Sequence, residues 1–359
     1  MTHYKKTVFI ILCLILVFSA FSGCEKKTET FFAKDPVNYN CMYNQWDIWL
    51  NEDGCLFSTV DLFYNTKLYY VDENGKSQVI KNSEIEAGYI LVSDAKCFGD
   101  NVYFLCKKQQ SDSDNSSNYR IYRCLLDGSN VECIIEADGV ISNWVVVNGD
   151  EIIYTIVSNS SEDSLWHFTI GNDAPSCISE RVVSFGIVNG NVQFVERSDD
   201  FELYSYSLDD MKITSIGSFL MEESEKEEVT FNYTEKRVVF YSSAEYTDKL
   251  SVYDIKKDAK TTYTLPKKIE SMCCFEEDIY VVLNEDPDDI EKNKTELYKF
   301  DYDTGKCKLI TEDFSDILSV YATNSDYVYI CVNDDDPEGL GSWIYKISAN
   351  GKCKKMFSV

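Results

Sequence analysis

Histidine is nearly missing from this chain of 359 residues, which contains only two. His3 lies in the extreme N-terminal segment, so His167 is the single imidazole in the rest of the sequence. Zinc sites built from several histidines are therefore excluded. Catalysis by a Ser-His-Asp arrangement would depend on His167 alone.

Three further shortages narrow the possible functions. The 16 glycines are scattered and form no phosphate-binding loop. No Cys-x-x-Cys pair occurs, although the chain has 14 cysteines. Basic residues are outnumbered, with 34 Lys and Arg against 61 Asp and Glu, and the net charge is −27. Because binding to phosphate backbones needs a basic surface, a nucleic-acid partner is disfavoured.

Only the N-terminal segment contains a long apolar run. Lys5 and Lys6 precede an apolar stretch over residues 8–18, which ends in small residues before Cys24. A membrane-spanning helix needs about 20 apolar residues, so this shorter run with a basic flank predicts a secretory signal. An uncleaved N-terminal anchor is the alternative, and both place the following residues outside the cytoplasm.

The end of this segment, Ser22-Gly23-Cys24, resembles the lipobox of bacterial lipoproteins, with Phe21 where Leu is usual. The resemblance implies that residues 1–23 are a cleaved signal peptide and that Cys24 carries the lipid. The mature protein would then be extracytoplasmic and anchored to a bacterial membrane by its acyl chains. Residues 24–45 are predicted to be the lipidated cysteine, a tether and, near residues 37–43, a strand that joins the first and last repeats.

The remainder, residues 46–359, repeats one pattern seven times at intervals of 38 to 53 residues. Each copy has an apolar residue, usually followed by an aromatic one, then two-fold alternation and a turn. The copies begin at Leu68, Ile121, Leu165, Leu203, Leu250, Leu297 and Ile344. Further short apolar runs flank each copy, so every unit offers four strands.

Four-stranded units repeated around an axis form a β-propeller. The predicted fold class is therefore all-β, with seven blades, and six or eight as alternatives. The segments RIYRCLLDGS (120–129) and ELYKFDYDTGK (296–306) resemble poorly characterised propellers of bacterial surface lipoproteins. Their rhythm is similar to that of the low-density-lipoprotein-receptor type. The resemblance implies a fold and a location and says little about activity.

The repeat alignment also gives expectations for single residues. His167 falls in a column that is mostly polar, which predicts a solvated strand position. Most cysteines lie in apolar strand-like runs, so buried free thiols are favoured. The best disulfide candidates are Cys97–Cys106 and Cys124–Cys133.

The connections between second and third strands are acidic and vary in length, and binding residues are often found on such loops. They predict a rim that binds a cation or a protein, peptide or glycan partner, although acidic loops also simply maintain solubility. The candidate residues are Asp286, Asp288, Asp289, Asp334, Asp335, Asp336 and Glu338. No cofactor is evident, and Ca²⁺ at residues 334–338 is a minor alternative. An envelope enzyme acting on glycans or cell-wall material, or an accessory or sensory subunit, are the alternative functions.

Overall fold

The computed structural model describes the chain in segments. These are residues 38–40, 48–50, 54–60, 66–72, 76–80, 85–86, 88–109, 118–157, 163–220, 229–243, 247–285, 294–311, 314, 317–322, 327–333, 342–348 and 350–358. Within these segments every regular element is a β-strand. No helix in this part of the chain is long and apolar enough to cross a membrane.

Twenty-eight strands follow one another along the described part of the chain. They are β1 (Asn38–Asn40), β2 (Ile48–Leu50), β3 (Gly54–Val60), β4 (Thr66–Asp72), β5 (Ser77–Ile80), β6 (Tyr89–Phe98), β7 (Asn101–Lys108), β8 (Asn118–Leu125), β9 (Glu132–Asp138), β10 (Val140–Val147), β11 (Glu151–Val157), β12 (Asp163–Thr169), β13 (Ser176–Val188), β14 (Asn191–Arg197), β15 (Phe201–Tyr206), β16 (Ile213–Phe219), β17 (Val229–Tyr233), β18 (Arg237–Ser242), β19 (Lys249–Asp254), β20 (Ala259–Thr264), β21 (Lys268–Phe275), β22 (Asp278–Asn284), β23 (Thr295–Asp301), β24 (Lys306–Thr311), β25 (Ile317–Ala322), β26 (Tyr327–Asn333), β27 (Ser342–Ser348) and β28 (Cys353–Ser358).

The strands form antiparallel sheets in chain order. Five sheets have four strands each: β2–β5, β6–β9, β17–β20, β21–β24 and β25–β28. A sixth sheet contains β10 to β16 together with β1. In this sheet the long strand β13 pairs with β12 up to Val182 and with β14 from Val182 onward. The fold is an all-β propeller, as predicted, and dividing β13 at Val182 gives seven sets of four strands. The blade number itself stays a prediction.

The apolar residue that starts each sequence repeat is a core residue of its sheet. In all seven repeats this residue lies on the third strand and is 0% exposed. A Leu or Ile at this position packs against the neighbouring sheet, and burying it contributes about 1.5–3 kcal/mol. The repeat seen in the sequence therefore records one core position in each sheet.

A tight hairpin joins β13 to β14, the first and second strands of their set. Between β13 and β14 the turn residues Asn189 and Gly190 have φ values of 50° and 74°. Positive φ at both positions is the type I′ geometry, which matches the twist of paired strands and favours Asn-Gly. Val188 and Asn191 close this turn.

The first strands of successive sheets approach one another around the centre of the propeller, for example β17 with β13 and with β21. Side-chain packing joins the first sheet to the last: Val71 of β4 shares a buried cluster with Tyr329, Cys331 and Ile344 of β26 and β27.

The predicted strand near residues 37–43 exists as β1, but its predicted partner was wrong. β1 pairs antiparallel with β13, with Asn38 opposite Val188 and Asn40 opposite Gly186. It does not join the first and last sheets, because β2–β5 and β25–β28 are each completed by consecutive strands.

Candidate functional site

The two sides of the propeller carry different connections. The links between second and third strands emerge on one side, which we call the loop rim. The hairpins between first and second strands, and between third and fourth strands, emerge on the other side, which we call the turn rim. The predicted acidic residues Asp286, Asp288, Asp289, Asp334, Asp335, Asp336 and Glu338 fall in loop-rim connections and lie outside the described residues. Cys24 lies outside them as well.

The described base of one acidic loop contains a partly buried ion pair. Lys267 Nζ lies 2.7 Å from Glu296 Oε2 and 3.7 Å from Glu285 Oε2. The Tyr298 hydroxyl donates a hydrogen bond of 2.6 Å to the same Glu296 oxygen. Because Glu285 follows β22 and Glu296 lies at the start of β23, Lys267 contacts both ends of the connection that contains Asp286, Asp288 and Asp289.

Burial and pairing act in opposite directions on this ion pair. Burial disfavours the charge on Lys267, but its contacts with Glu296 and Glu285 outweigh this effect and raise the pKa of the lysine. Burial alone would raise the pKa of Glu296, yet the hydrogen bonds from Lys267 and Tyr298 lower it. Both groups are therefore charged at neutral pH.

The loop base is also fixed to the next sheet. Thr295 is 0% exposed, and its Oγ1 accepts a hydrogen bond of 2.5 Å from the Ile317 backbone N–H. On the preceding strand the buried Asn284 lies 3.4 Å from Glu270 Oε2 through its Nδ2. The two strand ends that carry the loop are thus held in a fixed position.

A polar residue placed two positions before the aromatic residue recurs on the third strand. On β15 the Tyr204 hydroxyl donates to Glu202 Oε2 at 2.6 Å, and on β12 the Trp166 indole donates to Ser164 Oγ at 2.8 Å. On β8 the Arg120 guanidinium donates to the Tyr122 hydroxyl at 3.4 Å. The sequence analysis identified the apolar-aromatic pair but missed this partner, although the segments ELYSY and ELYKF both contain it.

Arg120 is a second cation at the loop rim, and it also lies between two carboxylates. It contacts Glu86 and lies 3.0 Å from Glu136 Oε2, and its Cζ is 4.0 Å from the centre of the Tyr89 ring. Its side chain is only 12% exposed. Arg120 and Lys267 are therefore neutralised within the strands that carry the loops.

The prediction that His167 is a solvated strand residue was wrong. The residue is 2% exposed because Glu151 of β11 and Tyr206 of β15 cover the ring. Its Nε2 lies 2.5 Å from Glu151 Oε2 and its Nδ1 lies 2.9 Å from the Tyr206 hydroxyl. Thr169 also donates to Glu151 at 2.8 Å. Both ring nitrogens of His167 are therefore engaged in a polar network at the turn rim.

The proposed disulfides were wrong. The ten cysteines whose side chains are described are all free thiols. Cys97 lies opposite Val102, and Cys133 lies opposite Tyr122, so neither candidate pair is in register. Burial raises the pKa of Cys106 and of Cys124 to about 12, which keeps these thiols protonated and unreactive at neutral pH.

Within the described segments, no three His, Cys, Asp or Glu side chains are grouped as metal ligands. The residues considered for Ca²⁺, at 334–338, lie outside those segments. In its described part, the loop rim therefore consists of fixed strand ends, where nearby glutamates compensate the charges of Lys267 and Arg120.

The sequence matches no protein-family model and no curated protein. Solved structures do match through their folds. A prolyl endopeptidase aligns with a TM-score of 0.58 and 10% identity, covering 92% of this chain and 50% of that protein. An oligogalacturonate lyase in complex with manganese aligns with a TM-score of 0.51 and 11% identity, covering 73% and 76%. TolB from Acinetobacter baumannii aligns with a TM-score of 0.41 and 11% identity, covering 87% and 79%.

The similarities to the prolyl endopeptidase and the lyase support the β-propeller assignment. At such low identity they show the fold alone. The chain spans about half the length of the peptidases it matches.

Proposed function

We propose that this chain is a lipid-anchored, extracytoplasmic binding propeller whose loop rim binds a cationic segment of a protein or peptide partner. The observation that carries the proposal is the enclosure of Lys267 between Glu285 and Glu296. This cation is already neutralised within the loop base, so it does not compensate the carboxylates of residues 286–289. A surface with excess negative charge attracts and orients positively charged partners.

Immobilised oligolysine is a direct probe of this surface. The test variant replaces the seven candidate rim residues by their amides. We expect it to bind oligolysine at least tenfold more weakly than the unmodified protein at about 0.1 M salt, where a Debye length of about 10 Å confines the effect of exposed charges to their own rim.

The matched control removes the same number of charges from the turn rim. It carries Asp→Asn or Glu→Gln changes at seven exposed positions: Asp100, Asp150, Asp173, Asp209, Glu235, Glu276 and Asp303. This variant should retain most of the affinity. If both variants lose affinity equally, net charge alone explains the binding and the rim assignment fails.

The anchor is tested separately by metabolic labelling in a bacterial host. Radiolabelled fatty acid should enter the protein and should be lost in the Cys24→Ala variant. Incorporation that persists in this variant would contradict lipidation at Cys24.

The alternative of an envelope enzyme acting on glycans would be supported if the purified protein cleaved cell-wall material and the seven-residue rim variant did not.

A further inference from the structure

The fourth strands of the last two sheets share a lysine-rich segment. The sequence GKCK occurs at 305–308 and again at 351–354, each time where the hairpin after the third strand passes into the fourth strand. Both glycines have a positive φ, 67° at Gly305 and 82° at Gly351. With Lys355 these segments contain five lysines, and residues 304–311 and 350–358 contain no acidic residue. In a chain with a net charge of −27, β24 and β28 are therefore locally basic.

The alternation along these strands separates the cysteine from the lysines. Cys307 and Cys353 pack against buried apolar clusters of the propeller core. The lysines on either side of each cysteine are exposed. Since successive strand residues point to opposite faces, each cysteine holds its strand on the core while the lysines remain in solvent.

The charges of these lysines are not compensated within the described part of the chain. There, the side chains of Lys308, Lys352 and Lys354 form no ion pair. Other lysines of the same region do form one: Lys257 and Lys299 lie 2.9 Å and 2.6 Å from a carboxylate oxygen. The exposed lysines of β24 and β28 are thus available to a negatively charged partner.

The two basic strands are close together and include apolar side chains. A Cβ atom at Gly351 would lie 2.6 Å from the Ile310 carbonyl oxygen, so the hairpin before β28 lies directly against β24. On β24 the side chain of Leu309 is 42% exposed. On β28 the Lys355 Nζ lies 3.2 Å from the centre of the Trp343 ring. Lysines interspersed with leucine and tryptophan are typical of surfaces that lie at a membrane interface.

Protection of the sheet edge does not by itself account for these lysines. A charged residue on an outer strand prevents pairing with another edge. However, the outer strand β9 carries Glu132 and Glu136 instead, and β16 carries no charged residue. Outer strands of this protein therefore do not require lysine.

The N-terminal connection leaves the propeller on the side where the GKCK hairpins lie. β1 begins at Asn38, opposite Val188, and Val188 closes a hairpin of the turn rim. The hairpins before β24 and β28 belong to the turn rim as well. Cys24 precedes Asn38 by 14 residues, which span at most about 50 Å. A lipid on Cys24 would therefore keep the turn rim within about this distance of the bilayer.

We propose that β24 and β28 form a basic face that docks on the headgroups of anionic lipids, with the turn rim towards the bilayer and the loop rim towards solvent. The proposal rests on the proposed lipid anchor, which keeps a weak contact at high local concentration. The acidic residues elsewhere do not prevent docking, because exposed charges beyond a Debye length of about 8–10 Å are largely screened.

The test compares the full-length protein on vesicles of phosphatidylcholine with the same protein on an equimolar mixture of phosphatidylcholine and phosphatidylglycerol. A membrane-impermeant reagent acetylates exposed lysines, and mass spectrometry gives the rate at each position. On the anionic vesicles we expect at least fivefold slower acetylation of Lys308, Lys352 and Lys354. The rates at Lys76 and Lys212, which are exposed on other sheets, should be the same on both vesicles. Salt at about 1 M, where the Debye length is about 3 Å, should remove the difference.

Hydrogen exchange tests the same contact in variants. The test variant carries Lys→Gln changes at Lys306, Lys308, Lys352, Lys354 and Lys355. The matched control carries the same change at five exposed lysines of other sheets: Lys67, Lys76, Lys107, Lys212 and Lys249. On anionic vesicles, amide exchange in residues 302–311 and 350–358 should be at least threefold slower than on neutral vesicles for the unmodified protein and the control. The test variant should show no such difference.

Equal acetylation on both kinds of vesicle, or loss of protection in both variants, would overturn the docking proposal. Protection by soluble polyphosphate and not by anionic vesicles would also overturn it, because the face would then bind a polymer. Docking and anchoring fail separately in these experiments. Fatty acid incorporation without lysine protection would remove only the docking, whereas lysine protection without fatty acid would support docking and remove only the anchor.

Discussion

Two glutamates, one on each rim, contact a cation at almost the same distance, and their pKa values shift in opposite directions. On the loop rim, Glu296 lies 2.7 Å from Lys267 and its pKa is lowered. On the turn rim, Glu277 lies 2.6 Å from Arg237 and its pKa is raised. An ion pair in the structure therefore does not by itself show that a carboxylate is stabilised in its charged form.

The two carboxylates differ in the hydrogen bonds that their oxygen atoms accept besides the contact with the cation. Glu296 Oε2 accepts hydrogen bonds from both Lys267 and the Tyr298 hydroxyl. Glu277 Oε1 is buried, and Lys236 Nζ lies 3.8 Å away, beyond hydrogen-bond distance. Burial therefore outweighs the attraction of Arg237 and Lys236 at Glu277. Hydrogen bonds to the charged form decide the direction of the shift.

Removing the cation from each pair is expected to have the largest effect. Lys267→Met should lower the free energy of unfolding by about 2–3 kcal/mol at neutral pH, because Glu296 loses a charge-assisted hydrogen bond in a nearly buried site. Arg237→Met should cost only about 1–2 kcal/mol, because Glu277 can take up a proton more easily. Urea unfolding monitored by tryptophan fluorescence measures both values, and a larger loss for Arg237→Met would contradict this interpretation.

Much of the fold could be predicted from the sequence because each repeat has an apolar residue at a strand position that is buried in the core. Leu203, Leu250 and Leu297 recur at one strand position, and apolar identity at a fixed position is what a sheet core requires. The position of β1 could not be predicted in the same way, because strands add to an edge through backbone groups that every residue has. Residue identities at 38–40 do not specify β13 as the partner.

The candidate site was less predictable for a related reason. His167 stands in a polar column, but its exposure depends on whether Tyr206, 39 positions later, packs over the ring. The opposite behaviour of Glu277 and Glu296 likewise depends on a neighbouring hydroxyl and on local burial. Such contacts between sheets are set by the ring geometry, which a single strand pattern does not contain.

The pH dependence of stability should separate the two glutamates by sign. Because the folded-state pKa of Glu296 is lowered, its stabilisation is present above the usual carboxyl pKa and is lost as the pH falls through the lower folded value. The folded-state pKa of Glu277 is raised, so the unfolded chain ionises first and stability falls as the pH rises from the usual value through the raised one.

The variants Glu296→Gln and Glu277→Gln isolate these two contributions. Between about pH 3 and pH 7, the stability advantage of the unmodified protein over Glu296→Gln should grow, and its advantage over Glu277→Gln should shrink, each by about 1.4 kcal/mol per unit of pKa shift. Unfolding free energies measured at several pH values test this. Two curves with the same slope would show that the rims do not differ.

The smallest expected effect concerns the hydroxyl that distinguishes Glu296 from Glu277. Tyr298→Phe should cost about 1 kcal/mol, because it removes one hydrogen bond to the carboxylate and keeps the ring. It should also move the pKa of Glu296 back towards its usual value, which a carboxyl-resolved NMR titration can follow. The matched control is Tyr345→Phe on β27, where the residue two positions earlier is Trp343, whose indole can only donate. If the two phenylalanine variants lose equal stability, the hydroxyl of Tyr298 does not explain why the pKa values of Glu296 and Glu277 shift in opposite directions.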